Sequence, residues 1–190
     1  MVTPAPPQQP VLARELLLRM AADQHARGIR EDGGHLPPDF VRMRALDAEN
    51  AATLRQIIDE HGWPGHSLVG AAAANAAWLN VQHAGLDLQL RSLGLLASAV
   101  EQGEATHQQL ALLTDRVLLR QGKPQLYGTQ YRDLRDGRGY RLWDVTDPDG
   151  LDARRAAVGL GPHAAYDVVM RELPHHSGPA DPATSTAPAH

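Results

Sequence analysis

One histidine and two aspartates stand out in this chain as groups that could move protons. His83 and Asp87 are four residues apart, so an unbroken helix puts them on one face. A carboxylate beside an imidazole sets its tautomer and raises its basicity, the arrangement of a general acid–base pair. That pairing requires the helix to continue through Gly85. Asp115 is the other candidate orienter, next to Arg116. It opens the stretch DRVLLRQGKPQLYGTQY, which leaves a helix through Gly122-Lys123-Pro124 and carries Gln125, Tyr127, Thr129, Gln130 and Tyr131.

Substrate groups follow from the same inventory. Arg116, Arg154 and Arg155 have the chemistry of anion clamps. Gln82, Gln125, Tyr127 and Gln130 can donate to a substrate or a developing oxyanion. Trp63 is either a core plug or the lip of a pocket. Together they point to a cofactor-free acid–base enzyme, a hydrolase or lyase, whose pocket takes a small polar, anionic or amide-bearing molecule. The alternative is a non-catalytic small-molecule-binding or protein-interaction module in which the buried polar network is structural. No dinucleotide glycine fingerprint, phosphate loop or cysteine is present, so no redox cofactor is expected. His83 and Asp87 could supply two metal ligands, but with neither an H-E-x-x-H motif nor a facial triad no metal is expected.

The 190 residues suffice for a buried core, and only 4% are aromatic, so leucine, alanine and valine must build it. Such segments favour helix. A net charge of -4 argues against a general nucleic-acid binder. The N-terminus lacks the basic and apolar regions of a secretory leader, and the longest apolar run, near Val69–Leu79, is interrupted by Asn75. The expectation is a cytoplasmic protein without a membrane span. Of the 18 basic residues only Lys123 is lysine, and heavy arginine and alanine usage points to a GC-rich bacterial source.

The elements that must position these groups read as mainly α: one helical domain of about six or seven helices, with one β-hairpin near residues 125–145. Residues 1–10, with four prolines, read as a disordered leader, 11–173 as the domain and 174–190 as a disordered tail. Val11 to Arg27 is a helix with Leu12, Leu16 and Met20 on one face and Asp23, Gln24 and Arg27 at its end. Asp39 caps a second helix, Phe40 to His61, whose stripe of Leu46, Leu54, Ile57 and Ile58 includes Asn50. A third, Leu68 to Leu86, is alanine-rich and therefore central, with Asn80, His83 and Asp87 within one arc. Two more helices follow, to Gln102 and from His107 to Arg120. Gln125–Arg132 alternates as a strand, turns at Asp136-Gly137-Arg138-Gly139, and returns over Tyr140–Val145. Gly128 marks a bulge or a close approach. Short helices carry Arg154-Arg155 and Tyr166.

Gly62-Trp63-Pro64, Gln82-His83-Ala84 with Asp87, Asp115-Arg116-Val117-Leu118, the QLYGTQ run from Gln125, Asp147-Pro148, and Arg154-Arg155 with Val158-Gly159-Leu160 form a set. As a set they resemble a bacterial family catalogued only as a domain of unknown function, over about residues 12–170. The resemblance implies the domain's extent and which polar residues matter; it implies no reaction. The chain departs at Gly85, where the family pattern has Asp after Gln-His-Ala, leaving Asp87 as the carboxylate for His83.

Overall fold

Leucine and alanine stripes build the first helices, and the polar residues that interrupt those stripes show how the helices run. The computed structural model describes residues 6–30, 32–134 and 139–173. Helix α1 (Pro10–Ala26) starts on a proline, whose missing N–H is no loss in a first helical turn. Just before it, the Gln8 and Gln9 amides donate to the Ser67 and Leu68 carbonyls at 3.1 and 2.8 Å. The expected leader is thus tied down there, and residues 1–5 lie outside the described residues, as does the expected tail, 174–190. Helix α2 (Phe40–His61) is capped by Asp39, which accepts from the Arg42 amide, and stops at Gly62, φ 74°.

The expected third helix is cut in two. Gly70, at φ 80° and ψ 156°, separates α3 (His66–Val69) from α4 (Ala71–His83). Ala84 is extended, ψ 171°, and ends α4, so α5 (Leu86–Glu101) is a new helix capped by Gly85. His83 and Asp87 are therefore not partners on one helix. Ala73, Ala74, Ala76 and Ala77 of α4 are buried, and their small side chains let α1 and α2 pack directly against it.

Side-chain pairs set the directions. Arg19 meets Asn50 and Arg27 meets Asp47, so α1 and α2 are antiparallel. Asn50 meets Asn80, and the ligand atoms of Asp47 and His83 lie within 4.8 Å, so α2 and α4 are antiparallel in turn. Helix α1 then runs parallel to α4, and Asp23 reaches His83. Exposed pairs Arg55–Asp87 and Arg91–Asp59 align α5 with α2. Each is worth little in energy, about 0–1 kcal/mol.

The described residues divide between Thr106 and His107 into two compact units. The second unit contains α6 (His107–Arg120), strands β1 (Tyr131–Asp133) and β2 (Tyr140–Leu142), a 3-10 turn at Pro148–Gly150, α7 (Leu151–Ala157) and α8 (His163–Glu172). The strands pair antiparallel, with Arg132 opposite Arg141. The protein is thus mainly helical with one small hairpin. Among the described residues there are eight α-helices, and none is long and apolar enough to cross a membrane. The hairpin is shorter than expected, and residues 135–138 of its turn lie outside the described residues. Gln125–Gln130 is not strand; Gln125 makes only an isolated bridge with Val145.

Leu16, Leu54 and Ile57 are buried as their stripes require, Leu96, Leu113 and Val117 are buried too, and Trp78, Leu79, Leu93 and Leu118 are half-buried. A fully buried leucine contributes about 1.5–3 kcal/mol, so these side chains, more than the surface ion pairs, hold the helices together.

Candidate functional site

Helix α1 carries Arg19 and Asp23, and Arg27 follows as its C-cap, at four-residue steps along the side of the helix that also buries Leu16. Asp23 is seven residues beyond Leu16 and shares its face; its side chain is 0% exposed. One Asp23 oxygen lies 3.0 Å from His83 Nδ1 and the other 3.2 Å. Arg27 Nε donates to both Asp23 oxygens at 3.0 and 3.1 Å, and its Nη2 donates to Asp47. Gln24 Nε2 adds a bond to Asp23 at 3.1 Å. The His83 and Asp47 side chains keep 17% and 26% of their surface in solvent. The cluster is closed on the Asp23 side and open on the other.

The two carboxyls are pushed apart. Burial alone would raise Asp23, but hydrogen bonds from His83 and Arg27, with their charges, outweigh it and hold the group at about 2. Asp47 is raised, because its burial outweighs the pull of Arg27 and His83. Asp23, Asp47 and His83 also have the spacing of a metal-ligand set, each offering one atom within 4.8 Å of the others. Arg27 already bridges both carboxylates, so a cation would have to displace a guanidinium.

One turn below lies a second tier. Arg19 Nη1 donates to Asn50 Oδ1 at 3.2 Å, and Asn50 Nδ2 donates to Asn80 Oδ1 at 3.3 Å. Asn50, the polar residue on the α2 stripe, thus ties its helix to α1 and α4 through side chains and not through a neighbour's backbone.

In the second unit the organising group is Asp115 on α6, also 0% exposed. Its Oδ1 accepts from the amides of Leu126 and Tyr127 at 2.7 and 3.0 Å, and its Oδ2 from the Thr129 amide and hydroxyl at 3.0 and 2.9 Å. Four donors saturate the carboxylate. They also explain why QLYGTQ is not a strand: its amides converge on one point instead of alternating. Gln125 completes the fold of the loop, donating to the Gln130 and Trp143 carbonyls and accepting from the Gln130 amide.

The loop carbonyls are held by the arginines. Arg154 Nε donates to the Leu126 carbonyl at 2.9 Å, and its other nitrogens bind Asp147 and the Thr146 carbonyl. Arg155 is buried, donates to the Tyr127 and Gly161 carbonyls at 2.7 Å each, and stacks over Tyr166. Gly128, at φ +62°, is a close approach: a Cβ there would lie 3.0 Å from His163 Cδ2. His163 stacks on Tyr131, whose hydroxyl is 3.0 Å from His163 Nε2 and donates to Asp167 at 2.9 Å. Burial, then Asp167, raises the Tyr131 phenol. Burial, then Arg155, lowers His163. His163, Asp167 and Arg171 step along one face of α8, so this cluster fastens α8 to β1.

The expected site residues thus fall into separate groups. His83 belongs with Asp23, Arg27 and Asp47. Asp115, Gln125, Tyr127, Gln130, Arg154 and Arg155 form the loop cradle. Asp87 is exposed, accepts from Arg55, and is lowered by that bond. Gln82 is buried on α4, where its carbonyl accepts from Gln89 Nε2. Trp63 and Arg116 are half-buried, Trp63 in the turn after α2. A groove of about 650 Å³ lies between the end of α1 and the loop that follows it, with Ala21, Gln24, Ile29 and Leu36 among its walls; none of the expected residues lines it. Asp23, Arg27, Asp47 and His163 were not expected. The signal for Asp23 was its place on the stripe of Leu16.

The chain belongs to a family described as a family of unknown function (DUF6624), whose profile covers residues 10–174. No curated protein and no solved structure matches it.

Proposed function

We propose that this chain is an acid–base enzyme of the hydrolase or lyase type, acting on a small polar molecule, anionic or amide-bearing, with Asp23 and His83 as its proton-transfer pair. The observation that carries the reading is the fully buried Asp23 carboxylate 3.0 Å from His83 Nδ1. An ionised carboxylate there accepts the Nδ1 proton, holds the ring in one tautomer and makes Nε2 the atom that takes up and returns a proton. Asp23 then stabilises the imidazolium that forms. Asp47 holds a proton to higher pH than Asp23, the split seen where two carboxyls have different tasks. Arg27, bonded to both, positions them. Asp87 and Asp115 have no part in this scheme: one faces Arg55, the other is saturated by its loop.

A thermal-shift screen of small anions and amides against wild type, His83→Ala and Asp23→Asn tests it. The expected result is a ligand that stabilises wild type and neither variant. If every stabilising ligand acts equally on all three, the proton-transfer pair is wrong. A second reading, a non-catalytic binding or interaction module, is favoured by the Asp115 cradle. There, residues of catalytic type are committed to backbone groups.

A further inference from the structure

We propose that Asn80 donates a hydrogen bond to a neutral carbonyl oxygen of the substrate, making that substrate an amide or an ester. The inference rests on the acid–base reading of Asp23 and His83. Its basis is a chain of donors that all point one way. Arg19 can only donate, so the Asn50 oxygen faces it and the Asn50 N–H2 faces Asn80. The Asn80 oxygen accepts there, and its Nδ2 points away. Reversing the Asn80 amide would set two N–H2 groups against each other, and reversing Asn50 as well would set one against a guanidinium.

Asn80 Nδ2 has no partner among the described residues, and Asn80 is 2% exposed. A buried donor left unpaired costs about 1–3 kcal/mol, so the position calls for an acceptor. Asn80 is three residues before His83 on α4, which puts the two side chains on neighbouring parts of one helix face. In the adjoining tier the two carboxylates of Asp23 and Asp47 outnumber the one cation between them, Arg27, and Arg19 is already paired with Glu15, so an anionic acceptor is opposed. A neutral carbonyl is the acceptor that remains.

The chemistry is balanced with water as co-reactant. His83 Nε2 takes a proton from water as the water oxygen bonds to the carbonyl carbon, and the C=O electron pair moves onto oxygen, where the Asn80 N–H bond strengthens. The pair then returns, the bond to nitrogen or alkoxy oxygen breaks, and His83 gives its proton to the departing group.

The test is an NMR titration of ¹⁵N-labelled protein with acetamide, using acetate as the anionic control. Acetamide is expected to shift the Asn80 side-chain N–H2 pair and the His83 ring signals saturably, with acetate weaker. Asn80→Leu should lower acetamide affinity about tenfold, the value of one neutral hydrogen bond. An unmoved Asn80 pair, or an equal response to acetate, overturns the inference. So does a persistent contact from that pair to a water that acetamide does not displace. If Asn80→Leu fails to fold, the wild-type shifts decide alone. Absence, in the free protein, of a His83 Nδ1 proton bonded to Asp23 sinks the acid–base reading instead, whatever acetamide does.

Discussion

The two buried aspartates invite comparison. Asp23 and Asp115 are equally hidden from solvent, and both stand on helices among hydrogen-bond donors. Asp115 is held by backbone amides and one hydroxyl of a single loop. Asp23 is held by His83, Arg27 and Gln24, all side chains of residues that are themselves partly exposed. A carboxylate that gathers backbone amides dictates a loop's shape and has little capacity left. A carboxylate that orients an imidazole changes what that imidazole can do. The kind of partner, more than burial, separates a scaffold residue from a candidate catalytic one.

The comparison breaks first at Asp115. Asp115→Asn puts an N–H2 group against amide donors and should cost about 3–5 kcal/mol in urea unfolding. A loss below about 1 kcal/mol would mean the loop does not depend on it. Next, Gly128→Ala forces a left-handed φ on a residue with a Cβ and presses it on His163, and should cost about 1–3 kcal/mol by the same measurement.

Asp23 should instead show itself through pH. Its folded value of about 2 lies below the ordinary 3.8, so the folded state binds that proton more weakly than the unfolded state. The resulting stability, about 2 kcal/mol, is present above roughly pH 4 and lost as the pH falls through 2. Asp23→Asn should flatten that limb in a stability–pH series. Asp47 carries the opposite sign: its raised value makes the charged form costly, so its contribution improves as the pH falls and the group protonates. Asp47→Asn should remove that improvement.

The smallest effect is expected at Gly85. It occupies the N-cap of α5 at φ -65°, a backbone open to any residue, and a Cβ there would meet only the movable Asp87 carboxylate. Gly85→Asp should raise the melting temperature slightly, by a few tenths of a kcal/mol in stability, as a cap replaces a glycine.

Much of the helical fold was legible because its signals are local. Asp39 caps and Gly62 stops α2, and the alanines of α4 mark a helix that others approach closely. The loop at Gln125–Gln130 misled because Gln, Leu, Tyr, Gly, Thr and Gln alternate like a strand, while their conformation is imposed by a carboxylate 11 to 14 residues earlier in the chain. The His83–Asp87 pair failed at Ala84, where the chain becomes extended. Asp23 was visible as an acid on the Leu16 face. Its match to His83, 60 residues away, is a tertiary contact that periodicity does not encode.

The tiered pairing of α1, α2 and α4 has a consequence for how exactly the bundle is seated. Helices joined only by alanine and leucine can slide past one another at small cost. Here a slide of one turn would part Arg19 from Asn50, Arg27 from Asp47 and Asn50 from Asn80 together. Apolar replacements at 19, 50 and 80 would leave that seating to the pairs among Asp23, Arg27, Asp47 and His83 alone.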